Sequence, residues 1–210
     1  GSIAQEAVAR AAPDGHTLAL TASGTMGINP YVYAKLRYDP MRDFAPVTVM
    51  VDLPLILAVH PSVPARSVRD LIALARARPG QLTVGSAGIG THQHLAQALF
   101  ASIAGVNIAH VPYKGAAAAG IDLLGGHIDA MFDNIGGQVQ NVRAGKTRAL
   151  GVSSRERAAA LAEVPTIAEA GVPGYDTVPW FGLAVPKATP AEVVARLRRA
   201  MTAREIPKED

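Results

Sequence analysis

The chain has 210 residues, 49% of them hydrophobic and 18% charged, the balance of a globular protein with apolar surface enough for a sizeable core. Its net charge of +3 is spread without a run of Lys or Arg, and only 5% of residues are aromatic, which argues against nucleic acid and anionic lipid as partners. With no cysteine, disulfides, thiolate metal sites and thiol nucleophiles are excluded; no apolar run reaches membrane-spanning length, and the opening GSIAQEAVARA lacks the order of a signal peptide. A chain with these properties is cytosolic, or else a processed or trimmed form.

Residues Ile3 to Ala12 have the periodicity of the tail of a helix, ended by the turn Pro13-Asp14-Gly15. The apolar run Thr17 to Thr21 predicts a strand leading into a glycine-bearing loop, Ser23-Gly24-Thr25-Met26-Gly27, with Pro30 opening a short helix that carries Tyr31 and Tyr33. Val47 to Val51 and Leu55 to Val59 are β-like runs around Asp52-Leu53-Pro54. Ser67, three residues before Asp70, signals a capping box for the amphipathic helix Val68 to Arg78.

The stretch Gln81 to Gly105 organises the rest. A short strand, Leu82 to Val84, enters a turn containing Gly85, Gly88 and Gly90, followed by a helix predicted to bury Leu95, Leu99, Phe100 and Ile103. The first-turn N–H groups and the positive end of the helix dipole make such a loop a seat for an anion. It holds no lysine, as a nucleotide P-loop would, and its glycine order is not that of the dinucleotide fingerprint, so a carboxylate fits better than a nucleotide phosphate. A plain connector between strand and helix is the alternative reading of this stretch.

The alternation then repeats: strand Ile108 to Val111, the turn Pro112-Tyr113-Lys114-Gly115, an alanine-rich helix to Leu124, strand Ile128 to Phe132 ending on Asp133-Asn134, a helix near Val139 to Arg143 and strand Ala149 to Val152. A short helix Pro165 to Ala170 and strand Trp180 to Val185 follow. The last helix opens at Thr189-Pro190-Ala191-Glu192 with a capping box, its inward face Val193, Val194, Leu197 and Met201. Strands alternating with helices predict α/β architecture with parallel-type sheets flanked by helices, and ligands at the carboxyl ends of the strands. That rule selects Ala22 to Thr25, Ser86 to Thr91, Tyr113, Asp133 with Asn134, and Ser153 with Ser154. Asp133 stands equally as a helix N-cap, and Ser153 and Ser154 read better as caps than as contacts.

Catalytic patterns are wanting. Val84-Gly85-Ser86-Ala87-Gly88 lacks the first glycine of a nucleophile elbow, and His92 and His94, two apart on a helix, point in different directions and do not share a metal. His94 is expected to pack behind the loop or bond its backbone; His16, His60, His110 and His127 read as structural. No catalytic residue, metal or cofactor is expected.

The runs VGSAGIGTHQHL, HVPYKG (His110 to Gly115), DLLGGHIDAMFD (Asp122 to Asp133), VPTIAEAGVPGYD (Val164 to Asp176) and WFGLAVPKATP (Trp180 to Pro190), with APDGHTL, NPYVY and YDPMRDFAPV upstream, resemble the Bug/TctC family over essentially the whole chain. These are extracytoplasmic solute receptors of tripartite tricarboxylate transporters. The resemblance implies a two-lobed, periplasmic-binding-protein-like (Venus flytrap) receptor, periplasmic and monomeric, that closes on a small carboxylate and delivers it to membrane transporter subunits. The ligand would be a di- or tricarboxylate or an aromatic acid.

It implies lobes of residues 1 to 58 with 180 to 210, and 59 to 179. The implied contacts are Ser86, Gly88, Ile89, Gly90 and Thr91 in the second lobe and Ser23, Gly24 and Thr25 in the first, with Asp133 in the place of the family's cleft acid and His94 and Tyr113 supporting the site. The family's opening strand and its P-F-x-P-G-G-type loop have no counterpart here, and the family continues past the last helix, so the first lobe is expected to be truncated at both termini. His16 and the Ala117-Ala118 pair are smaller departures, neither expected to matter to the site. A sensor feeding a membrane kinase is the alternative role, and a small-molecule α/β enzyme a more distant one.

Overall fold

The computed structural model describes residues 1–202; residues 203–210, which the sequence reading placed in the first lobe, lie outside the described residues. In chain order the elements are α1 (Ser2–Ala9), β1 (Ala19–Ala22), a π-helical turn (Gly24–Ile28) running into α2 (Asn29–Val32), β2 (Phe44–Asp52), β3 (Leu55–Val59), α3 (Val68–Ala77), β4 (Thr83–Ser86), α4 (His92–Ala104), β5 (Ala109–Pro112), α5 (Ala116–Leu124), β6 (Ala130–Asn134), α6 (Ile135–Arg143), β7 (Arg148–Val152), a 3₁₀ turn (Ala159–Leu161), β8 (Trp180–Pro186) and α7 (Ala191–Thr202). The chain divides into two compact units, Gly1–Asp52 with the segment from Trp180, and Leu53–Pro179.

The first unit holds a three-stranded sheet in the order β1-β8-β2, with β8 antiparallel to both neighbours. The α/β class stands, but here the parallel expectation gives way. A strand arriving from the far end of the chain inserts between β1 and β2, and no local pattern announces that pairing. Val8, Ala19, Tyr38, Phe44 and Ala184 form its core. The predicted loop Ser23 to Gly27 is helical, since Ser23 already has αR backbone angles and Gly24–Ile28 winds as one π turn into α2. Thr189 does not cap α7: its hydroxyl is buried without a partner, and the amides of Val193 and Val194 bond the carbonyl of Pro190 instead. Met201 stays exposed rather than joining the inward face.

The second unit holds a five-stranded sheet in the order β5-β4-β6-β3-β7. β4 is parallel to β5 and β6, while β3 is antiparallel to β6 and β7, so within this sheet only β3 runs against the others. All five residues of β3 are buried, as expected of a strand covered on both faces. This strand, left in the first lobe by the sequence reading, thus lies inside the second unit's sheet. One face carries the main core, with Leu55, Leu57, Val84, Phe100, Phe132 and Tyr175; the other carries two smaller clusters around Ile56 and Met131.

Two local expectations fail. α4 buries Gln93, Ala96, Gln97, Phe100 and Ala104, while Leu95 and Ile103 stay 42% and 41% exposed. Ala96 is fully buried on this face, where the Tyr175 hydroxyl donates to its carbonyl at 3.0 Å. The helix expected at Pro165 to Ala170 is a single turn. Thr166 and Glu169 close a reciprocal capping box, but Thr166 is drawn into a parallel bridge with Val152, and Gly171 at φ +122° ends the turn.

Candidate functional site

With β3 reversed, one edge of the second sheet gathers the carboxyl ends of β4, β5, β6 and β7, and the loops that follow these strands meet there. The loop after β4, Ser86 to Thr91, is stitched to the turn after β5 by two backbone bonds, Tyr113 N–H to the Ser86 carbonyl (3.1 Å) and Gly115 N–H to the Ala87 carbonyl (3.1 Å). Two glycines fit closely into this packing. A Cβ at Gly85 would stand 2.5 Å from Ile128 Cδ1, and Gly88 has φ +133° with a would-be Cβ 3.0 Å from the Tyr113 carbonyl oxygen.

Within the loop much of the polar capacity is already used. The Ser86 side chain is fully buried; its Oγ accepts from the Gly88 amide (3.1 Å), donates to the Gly88 carbonyl (3.3 Å) and lies 2.7 Å from His110 Nε2. Thr91 is the N-cap of α4, accepting from the His94 amide (3.4 Å) and donating to the Gly88 carbonyl (2.7 Å). The Thr91 amide reaches the Gly88 carbonyl at 3.3 Å, and the Gly90 amide reaches His94 Nδ1 at 3.4 Å. The expectation of unpaired amides is therefore corrected: Gly88, Gly90, Thr91 and His94 all donate inside the loop. Several of these bonds are long, at the weak end of hydrogen-bond geometry. Ile89 stands at the tip, 55% exposed.

His94 does bond the loop backbone. It also stacks on His110, ring centroids 4.1 Å apart at 15°. Burial lowers the pKa of His94, and burial with the charge of His94 lowers that of His110, so both imidazoles are neutral near pH 7. His92 turns elsewhere, its Nε2 2.6 Å from Thr177 Oγ1, and burial lowers its pKa to about 4. His110, which the sequence reading left as structural, is thus part of the loop's support. The run HVPYKG begins at it without giving it a role; its position, two residues before the carboxyl end of the strand beside β4, is what places it there.

Asp133 lies 7% exposed beneath α6 rather than capping it. Its Oδ1 accepts from the Asn134 amide (2.8 Å) and its Oδ2 from Gln138 Nε2 (2.9 Å), while Gln138 Oε1 accepts from the Thr147 hydroxyl (3.3 Å). Burial raises its pKa, against the pull of the Gln138 and Asn134 bonds. Tyr113 donates to Asp122 Oδ2 at 2.6 Å, and burial and that carboxylate push its phenol up to about 12. Its side chain therefore faces α5, and its backbone supports the loop. Ser153 does not cap: its Oγ accepts from the Leu55 amide at 2.9 Å, locking β7 to β3.

In the first unit Ser23, Gly24 and Thr25 sit where β1 passes into the π turn. Thr25 Oγ1 bonds both the amide and the carbonyl of Ala22 (3.2 and 3.1 Å), and the Tyr38 hydroxyl donates to the Thr25 carbonyl at 2.7 Å. Among the described residues no group of three or more His, Asp or Glu side chains is placed to hold a metal, and no helix is long and apolar enough to cross a membrane.

A family profile described as the tripartite tricarboxylate transporter family receptor matches residues 1–208. A protein from the tcbD-tcbE intergenic region of Pseudomonas sp. strain P51 is 43% identical over 94% of this chain and 59% of its own length. BugT of Bordetella pertussis is 34% identical over 95% of this chain and 61% of its own. The chain thus spans about three fifths of these relatives. Among solved structures, Rpa4515 of R. palustris with adipate superposes with a TM-score of 0.92 at 41% identity, covering 97% of this chain and 68% of that one. MatC of Rhodopseudomonas palustris with bound malate superposes at 0.87 and 34% identity, covering 95% and 68%.

Proposed function

Because this chain belongs to the tripartite tricarboxylate transporter receptor family, we propose that it is part of a periplasmic solute receptor that captures a small carboxylic acid and delivers it to membrane transporter subunits. The acid's carboxylate is taken by the loop Ser86 to Thr91, through the backbone at Gly88, Ile89, Gly90 and Thr91. His94 and Tyr113 hold this loop in shape. The observation that carries this reading is a glycine loop at the carboxyl end of a parallel strand in a chain 41% identical to a protein solved with adipate.

The loop has no basic side chain, so the binding energy comes from backbone donors that exchange their long bonds inside the loop for bonds to the acid. Each hydrogen bond to a charged acceptor is worth roughly 1.5–3 kcal/mol, and association costs at least about 4 kcal/mol. A single carboxylate is then held weakly, and an acid with a second carboxylate more firmly. No bond is made or broken in this role.

Thermal-shift titration with adipate and with malate tests the reading. Either acid should raise the melting temperature, and the pair Gly88→Val with Thr91→Ala should abolish the rise. A rise of unchanged size in that double variant rules out the loop as the carboxylate site.

A further inference from the structure

The loop and its two imidazoles form a closed hydrogen-bonded unit whose closure depends on protonation. His94 Nδ1 accepts the Gly90 amide only while it keeps its lone pair. Once protonated it becomes a donor, two N–H groups face each other, and the Gly90 amide must turn away. His110 lies against the same ring at 4.1 Å and reaches Ser86 Oγ, which in turn holds the Gly88 amide. Two cations stacked at that separation repel, so the pair accepts one proton readily and a second only at much lower pH.

We propose that the His94–His110 pair is a proton-operated latch on the Gly88 to Thr91 loop: one proton on the pair releases the Gly90 amide, and carboxylate capture at the loop is thereby linked to proton uptake. The second half rests on the function proposed above. At neutral pH the latch is closed and the loop bonds to itself. A carboxylate arriving at the loop takes up the released N–H and favours the imidazolium beneath it, so ligand and proton bind together and affinity rises as the pH falls.

The other ionisable side chains on the surrounding elements are His92 on α4, which bonds Thr177, Asp122 on α5, which accepts the Tyr113 hydroxyl, and Lys114 in the turn after β5. On β6 and at its N-terminal side, Asp129 accepts from Thr83 and Asp133 from Gln138. None of these bonds involves either imidazole of the pair. The shifts of His94 and His110 arise first from burial, and the charge of His94 lowers His110 further, so a proton on either ring disfavours one on its neighbour.

The test is an NMR titration of the ¹⁵N-labelled chain from about pH 7.5 to 5, the range in which imidazoles change charge. The Gly90 amide and the His94 ring should move with one shared midpoint. His94→Asn, whose side-chain oxygen remains a neutral acceptor, should leave Gly90 flat. A Gly90 resonance that stays flat while His94 titrates, or that still titrates in His94→Asn, overturns the latch.

If His94→Asn does not fold, His110→Asn gives the second reading. There Gly90 should still follow His94, but along a sharp single-site curve in place of the broadened curve of a coupled pair; an unchanged curve shape overturns the pairing. Calorimetry with adipate, corrected for adipate's own ionisation, reads the linkage. Affinity should be about two- to five-fold tighter near pH 6 than near pH 7.5, with heats that depend on the buffer, and His94→Asn should remove the difference. Equal affinity at both pH values overturns the linkage and leaves carboxylate capture standing. No adipate binding at either pH counts against carboxylate capture and the linkage together, while the latch is still decided by the NMR arm.

Discussion

Two of the strand ends that lead through glycine-bearing connections into helices, those of β1 and β4, are held by different chemistry. After β1, Gly24–Ile28 winds directly into a π turn, pinned by the Thr25 hydroxyl and by the Tyr38 phenol. After β4 the chain makes a true loop, with Gly88 and Gly90 at positive φ, pinned by the Thr91 cap and by two imidazoles. The first connection rests on hydroxyl donors, and the second on two stacked imidazoles whose pKa values burial lowers. Position at a strand's end makes a loop available to a ligand; the side chains beneath decide what else the loop responds to.

The comparison breaks most sharply at Gly85. Gly85→Val drives a branched side chain into Ile128 Cδ1, at a cost of roughly 1–3 kcal/mol. The melting temperature should drop by about 2–4 °C for each kcal/mol, whereas Gly27→Ala, where a Cβ would meet nothing within 4 Å, should change it by far less. Next in size, Thr91→Ala removes the α4 cap, for a loss of about 0.5–2 kcal/mol in chemical denaturation. Its counterpart in the first unit, Tyr38→Phe, strips one donor from the Thr25 carbonyl and should cost about 0.5–1.5 kcal/mol. It should leave adipate-induced shifts intact if the loop after β4 supplies the main contact.

Smallest at about pH 6, and growing as acid is added, is the effect on the pH profile. His92 is held neutral by burial with its pKa lowered to about 4, while unfolded histidine titrates near 6.5. Between those values the unfolded chain binds more protons, so stability is full above about pH 6.5 and falls as the pH drops towards 4. Melting temperatures across that window should decline less steeply in His92→Asn than in the parent chain.

Local pattern in the sequence carried the strands well. Leu55 to Val59 reads as an apolar run and is a strand buried on both faces, and Ser67 caps α3 by accepting from the Asp70 amide at 3.1 Å, as its spacing to Asp70 suggested. The place of the loop after β4 and the contact of His94 with its backbone were also legible. What escaped depends on contacts remote in sequence. The side of α4 that faces the core is set by Ala96 and by the Tyr175 hydroxyl, 79 residues away, so the bulkier Leu95 and Ile103 misled. His110 becomes part of the loop's support only because β5 lies beside β4. The occupied amides of Gly88 and Gly90 follow from Ser86 and His94 turning inward, which no motif encodes.

The second unit begins and ends as neighbours: the Leu53 amide donates to the Pro179 carbonyl at 2.9 Å. A segment whose two termini are already clasped behaves as a cassette, since removing it severs two adjacent peptide bonds and leaves no strand of its own sheet behind. Expressed alone, residues 53–179 should fold with their sheet intact, and the same adjacency makes this stretch transferable between host chains as a whole.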